Sequence, residues 1–452
     1  MTHMRSRVLS GALVAISLVL GPVAAAASGP ALKANHPASS VSPSGSTYGM
    51  VADINPGGSS SPRFLTPVGG NVYFAANDGV HGRELWSTDG TTAHMVKNIR
   101  PGAGSSNPQG LVNVAGTLYF TATDGVHGRE LWKSDGTSAG TKLVRDIAAS
   151  GGSRPTELTA AGGRVYFAAY DGVHGNELWV SDGTAAGTHL VKDIAAAPGH
   201  GSFPGQLTNA GGTLYFGATS NCARNLWKTD GTSTGTTKVF ALAPMEIAVS
   251  AGTVFFTGFP WVCDKPSGDS NRLMTTDGTP GGTHDVMLPN ISRQLTDFEG
   301  TLYFSARGDN NHPRMWKSDG TPSGTGKLVP AVPLIDQSGM QSVANALWWA
   351  NAGAWLWTSD GTASGSHLVH SFSEVMPPFR SLGGSVVYFS ATDGQDDWEI
   401  WRSDGTGPGT WQVTDINPAG SSSAQGIVRL GGELLFSATD GSNGQELWRI
   451  SS

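Results

Sequence analysis

The tripeptide Asp-Gly-Thr returns at Asp89, Asp135, Asp182, Asp230, Asp277, Asp319, Asp360 and Asp404, at intervals of 41 to 48 residues. Glu-Leu-Trp or a close variant precedes most copies, as at Glu84-Leu85-Trp86, Glu130-Leu131-Trp132, Glu177-Leu178-Trp179 and Asn225-Leu226-Trp227. A ninth copy, Glu446-Leu447-Trp448, has no Asp-Gly-Thr after it. A period in this range is the mark of propellers, solenoids and other arrays, whose units bury their apolar faces only against one another. It overrides the two or three domains that a length of 452 residues would otherwise suggest.

One unit, from Gly110 to Ile147, shows what repeats. Leu111–Val114, Leu118–Thr123, Glu130–Ser134 and Lys142–Ile147 are short apolar or β-forming runs, separated by Gly- and Asp-containing breaks. This is a strand-and-turn pattern. Apolar residues stand at successive positions (Leu118, Tyr119, Phe120), so both faces of the strand need cover, as when four-stranded sheets stack around an axis. The turn Asp135–Thr141 predicts a hairpin between third and fourth strands. Asp135 accepts backbone N–H groups, and Gly136 and Gly140 are free to take positive φ. The repeated aspartates are therefore structural. Abundant glycine, 63 residues, fits many tight turns.

Tyr48–Ser60 (YGMVADINPGGSS) matches Trp411–Ser422 (WQVTDINPAGSS), a fourth strand and the loop after it. The N-terminal segment thus supplies the strand that the ninth unit lacks and removes the open edge. The expected fold is all-β: a single closed β-propeller of about nine four-stranded blades, with eight blades and one bulging unit as the alternative. The run E-L-W-x-x-D-G-T resembles that of the bacterial ELWxxDGT-repeat proteins across essentially all of residues 47–452. The resemblance implies an exported β-propeller-like repeat protein and no particular activity. Units five to seven depart most, with Leu273-Met274 in place of Leu-Trp.

Residues 1–27 read as a signal peptide: Arg5 and Arg7, an apolar run Val8–Leu20, then Gly21-Pro22 and small residues Ala24–Ala27. Residues 28–46, rich in Ser, Pro and Ala, read as a flexible linker. The expected setting is secreted, extracellular or cell-envelope, with no membrane span in the mature chain. The net charge of −7 gives no basic surface for a nucleic-acid partner.

Candidate sites lie where the repeat fails, because residues present in every blade serve the blade. Eight of the 14 tryptophans hold the repeat position. Of the six others, Trp261, Trp348, Trp349 and Trp398 are binding candidates, together with Asp264, Asp269 and Arg272 of the unique loop after Phe259. Aromatics beside acids and amides suit stacking on sugars or docking of a protein anchor. The alternative is that extra tryptophans restore packing in degenerate blades. Cys222 and Cys263, the two cysteines, lie in equivalent loops of consecutive units and are expected to form a disulfide. His81, His127 and His174 recur in Asp-Gly-Val-His-Gly loops and are weak candidates as metal ligands; no metal or other cofactor is expected. Matches to G-x-S-x-G at Gly136–Gly140 and Gly231–Gly235 fall in the hairpin turn, where no nucleophile elbow can form. The expected function is non-enzymatic binding of a glycan or surface protein by a monomer. A propeller lyase or glycosidase, or a structural matrix component, are the alternatives.

Overall fold

The computed structural model describes residues 46–451 apart from 197–199, 263–264, 267–270, 288–293, 308–312, 329–338, 352–353 and 395–396. The expected signal peptide, and the expected linker up to residue 45, lie outside the described residues. Among those described there is no helix, and the strands form nine sheets. The chain is a nine-bladed β-propeller, not an eight-bladed one.

Blade two consists of Gln109–Val114, Thr117–Thr123, Arg129–Ser134 and Lys142–Arg145, paired in that order and antiparallel throughout. The other blades repeat this order, and each first strand touches the first strands of both neighbours to form the inner wall of a complete circle. The strand Thr117–Thr123 shows why its sequence does not alternate. Leu118, Phe120 and Ala122 pack on blade one with Tyr73, Leu85 and Val96, while Tyr119 packs on blade three with Val165, Phe167 and Trp179. Successive side chains enter two different interfaces, and both are apolar and buried.

The Asp-Gly-Thr turn is the predicted hairpin, with one correction. Asp135 Oδ1 accepts Thr137 N–H at 2.9 Å and Thr137 Oγ1–H at 2.8 Å, and Gly136 has φ +94°. Gly140 is not in the left-handed region. It is glycine because a Cβ there would collide with the Asp135 carboxylate.

The glutamate of Glu-Leu-Trp has a role that its repetition alone did not disclose. Glu84 is fully buried and accepts Ile99 N–H at 2.8 Å, Ser106 N–H at 2.9 Å and Ser106 Oγ–H at 2.6 Å. These donors belong to the connection into blade two. Glu130 and Glu177 hold the next two connections in the same way. Burial raises the pKa of each of these carboxyls. The glutamate is a clip between one blade and the next.

The last clip closes the ring. Thr47–Ala52 pairs antiparallel with Gln445–Ser451, with Tyr48 opposite Ile450 and Met50 opposite Trp448. Glu446 then accepts Ile54 N–H at 3.0 Å, Ser60 N–H at 2.8 Å and Ser60 Oγ–H at 2.6 Å. Tyr48 packs into the interface of blades eight and nine, and Ile54 into that of blades nine and one. The N-terminal strand is the clasp, as its sequence match to Trp411–Ser422 predicts.

Candidate functional site

Antiparallel blades give the ring two unlike faces. Turns between first and second strands, and the Asp-Gly-Thr turns, open on one side, here the turn face. Loops between second and third strands, and the blade-to-blade connections, open on the other, the loop face.

On the turn face, a tyrosine of the second strand usually seals the seam to the next blade. Tyr303 Oη donates to Gly361 O at 3.0 Å, and a Cβ on Gly361 would lie only 2.5 Å from that hydroxyl. Tyr166 and Tyr215 press equally closely on Gly231 and Gly278. At the seam of blades seven and eight the tyrosine is replaced by Trp348. Its indole tilts beside Phe379, with centroids 6.2 Å apart, and is 1% exposed. A Cβ on Gly405 would meet only Thr358 Cγ2 at 3.8 Å and Trp348 at 3.9 Å. The seam opens into a cleft of about 950 Å³.

The cleft has an indole edge in its floor and polar groups around it, among them Asn345, Asp360, Ser364, His367, Ser385 and Asp404. His367 Nε2 lies 2.9 Å from Gly405 O and its Nδ1 lies 3.1 Å from Gly365 O, so the ring braces one turn against the next. Hydrogen bonds from the side-chain hydroxyls of Thr362 and Thr406 lead in holding the Asp360 and Asp404 carboxyls below the usual carboxylate range. Both turns use Oδ1 for these bonds, and Oδ2 makes none among the described residues. The cleft therefore offers anionic acceptors, hydroxyls and an amide, a set matched to a polyhydroxylated ligand.

On the loop face, the three Asp-Gly-Val-His-Gly loops are self-contained. Asp78 Oδ1 accepts Val80 N–H and His81 N–H, and Asp78 Oδ2 meets His81 Nδ1 at 2.6 Å. Asp124–His127 and Asp171–His174 repeat this at 2.7 and 2.6 Å. The hydrogen bond to its aspartate raises the pKa of His127, and likewise of His174. No three His, Cys, Asp or Glu side chains converge as metal ligands among the described residues. The Asp–His pair is a loop clip in each of these three blades.

The residues singled out from sequence are not brought together. Trp348 and Trp349 are corrections: both are fully buried, Trp348 in the core of blades seven and eight, Trp349 stacked on Trp357 with centroids 6.0 Å apart. These tryptophans restore packing where smaller repeat residues are lost, and they offer no free face to a ligand. Trp398 is half-buried on the loop face, its backbone N–H donating to Ser421 Oγ at 3.0 Å, and so lies away from the cleft. Arg272 is half-exposed, 3.5 Å from Asp285. Trp261–Val262 pairs with Lys265–Pro266 as a small ribbon joined to blade four through Ala223 opposite Val262. Asp264, Asp269 and Cys263 lie outside the described residues. Cys222 is exposed beside Ala223 and is not bonded to a described cysteine, so the expected disulfide is not shown. The cleft did have a sequence signal: Trp348 stands where Tyr73, Tyr119, Tyr166, Tyr215, Tyr303 and Tyr388 stand in sister blades.

No family model matches the chain. No curated protein matches it either. Among solved structures it is similar to the computationally designed Ika8 protein, at 15% identity and a TM-score of 0.44, covering 87% of this chain and 98% of that one. It is also similar to a puromycin hydrolase S511A mutant complexed with PGG, at 13% identity and a TM-score of 0.43. That match covers 84% of this chain, which spans 58% of the hydrolase. A third is an oligogalacturonate lyase in complex with manganese, at 14% identity and a TM-score of 0.36, covering 64% of this chain and 85% of the lyase.

Proposed function

We propose that this protein is an exported, non-enzymatic binding protein whose turn-face cleft between blades seven and eight takes a glycan. The observation that carries this reading is the seam opened by Trp348, with two ionised carboxylates and several hydroxyls around it. Carboxylates accept hydrogen bonds from sugar hydroxyls, and the Asp360 and Asp404 carboxylates disfavour polyanions at this site. A neutral or amine-bearing glycan fits best.

The test is a glycan array with the full chain, repeated on a variant carrying Ser364→Arg and Ser385→Arg. Both serines are exposed at the mouth of the cleft, so the long side chains obstruct it without entering the core. Binding is expected to fall at least tenfold. Unchanged binding overturns the cleft assignment, and shortened products released from a bound glycan overturn the non-enzymatic one.

Export also bears on the cysteines. A crosslink between Cys222 and Cys263 would tie blade four to the loop of blade five beside the Ala223–Val262 pair. Peptide mass mapping of exported protein is expected to recover that crosslink; free thiols at both positions would remove it.

A further inference from the structure

The loop face carries a notch of its own, made by three simultaneous departures from the repeat in blade three. In blades one and two an arginine opens the third strand and turns its guanidinium onto the loop beside it. Arg83 Nη1 donates to Ser61 O at 2.7 Å and to Ala75 O at 3.4 Å. Arg129 Nη1 donates to Asn107 O at 2.9 Å and to Thr121 O at 3.2 Å. Arg224 does the same in blade four, to Phe203 O at 2.8 Å. Blade three has Asn176 here, which is too short to fill that place.

The second departure is Tyr170, 43% exposed, where the sister residues are Asn77 and Thr123. The third is Arg154, where blades one and two have Ser61 and Asn107. All three positions share the same left-handed backbone, with φ of +51°, +47° and +48°. Arg154 is exposed, and its guanidinium makes no hydrogen bond or ion pair among the described residues. Together with Ser150, Gly151 and Gly152 these residues line a cavity of about 350 Å³. Gly152 cannot be larger, since a Cβ there would lie 2.5 Å from Arg129 N.

We propose that this notch binds an anionic saccharide, a pyranose ring bearing a carboxylate or a sulfate. The Tyr170 ring offers a face for the C–H side of a sugar. The free Arg154 guanidinium supplies the planar donor pair that carboxylate and sulfate oxygens match. The Asn176 amide both donates to and accepts from ring hydroxyls. The volume lies at the small end of ligand sites, enough for one sugar unit of a chain rather than an extended stretch. The site stands on the opposite face from the seam cleft, and neither assignment rests on the other.

Each variant that tests this is a residue found at the equivalent place in a sister blade, so the fold accommodates it: Arg154→Ser, Tyr170→Thr and Asn176→Arg. Calorimetric titration of the full chain uses three probes: a polyuronate, a sulfated polysaccharide and a neutral glucan. The expected result is binding of at least one acidic polymer, weakened tenfold or more by Arg154→Ser and by Tyr170→Thr, with melting temperature unchanged. Asn176→Arg fills the notch and removes the dependence of binding on Tyr170. The two acidic probes separate carboxylate from sulfate recognition. No binding of either acidic polymer overturns the proposal. So does acidic binding that survives Arg154→Ser, equal binding of the neutral glucan at this site, or displacement by an acidic peptide but not by the free acidic sugar.

Discussion

Glu446→Ala destabilises the closed ring by about 3–5 kcal/mol, more than an ordinary surface change by an order of magnitude. The carboxylate is fully buried and is the shared acceptor for Ile54 N–H, Ser60 N–H and Ser60 Oγ–H. Alanine leaves those three donors without their partner, at about 1–3 kcal/mol each before relaxation. Glu84 and Glu130 make the same bonds within the chain's continuous run of blades, but Glu446 joins the two ends of the repeat domain. Its loss therefore also loosens the pairing of Thr47–Ala52 with Gln445–Ser451 and exposes an unpaired strand edge. Urea unfolding and limited proteolysis check this. The expected pattern is an early cut near residues 53–60 in Glu446→Ala and none there in Glu84→Ala, although both variants lose stability. Equal cutting in both would mean that the clasp is no weaker than any other seam.

The second large effect is a dependence of stability on pH that comes from one carboxyl. Glu399 occupies the clip position of blade eight, where burial pushes its pKa from 4.5 up to about 8. Its sister clips receive both the N–H and the hydroxyl of a serine in close hydrogen bonds, whereas Ser422 Oγ donates to Trp398 O at 2.6 Å and offers Glu399 only a weaker interaction that offsets little of the burial. Glu399 keeps Thr414 Oγ1–H at 2.7 Å and Ile416 N–H at 3.4 Å. A folded-state pKa raised above the unfolded one means that the folded protein binds the extra proton. The stabilisation is complete below the unfolded value and is lost as pH rises to the folded value. The wild type should therefore lose about 1.4 kcal/mol per pH unit relative to Glu399→Gln between about pH 5 and pH 8. The difference should level off above about pH 9 and total at most about 5 kcal/mol. Chemical denaturation of both proteins across that range measures it directly. Taking the difference cancels the other buried clips, whose pKa values are raised in the same direction. Parallel stability curves for the two proteins would show that Glu399 is ionised in the fold at neutral pH.

Much of the architecture was legible in the chain because a repeat converts one good local reading into nine. The strands of the Gly110–Ile147 unit are found within a residue or two of their expected limits. Turn chemistry could be read because Asp135 and Gly136 act within their own hairpin. Gly140 could be read only in part: its need is for space against the Asp135 carboxylate, which depends on how the hairpin folds over.

The candidate sites were less legible, for a physical reason. A tryptophan that breaks the repeat is equally suited to a ligand platform and to a degenerate core, and which way its strand faces decides between them. Trp348 and Trp349 are adjacent in sequence and enter opposite interfaces, so neither presents a ring face to solvent. The cleft and the notch are made instead by what is missing, a tyrosine at one seam and an arginine at the other. Absence has a shape only when the neighbouring blade is in place.

The sequence by itself determined the number of units, their strands and turns, and the clasp, because each depends on residues close together or on a match between the two ends. Only the tertiary structure decided what the Glu-Leu-Trp glutamate does and where the ring is open. Both depend on contacts across the seams between blades, from Glu84 to Ile99 and Ser106 or from Tyr303 to Gly361, where one side chain's length sets whether a seam is sealed.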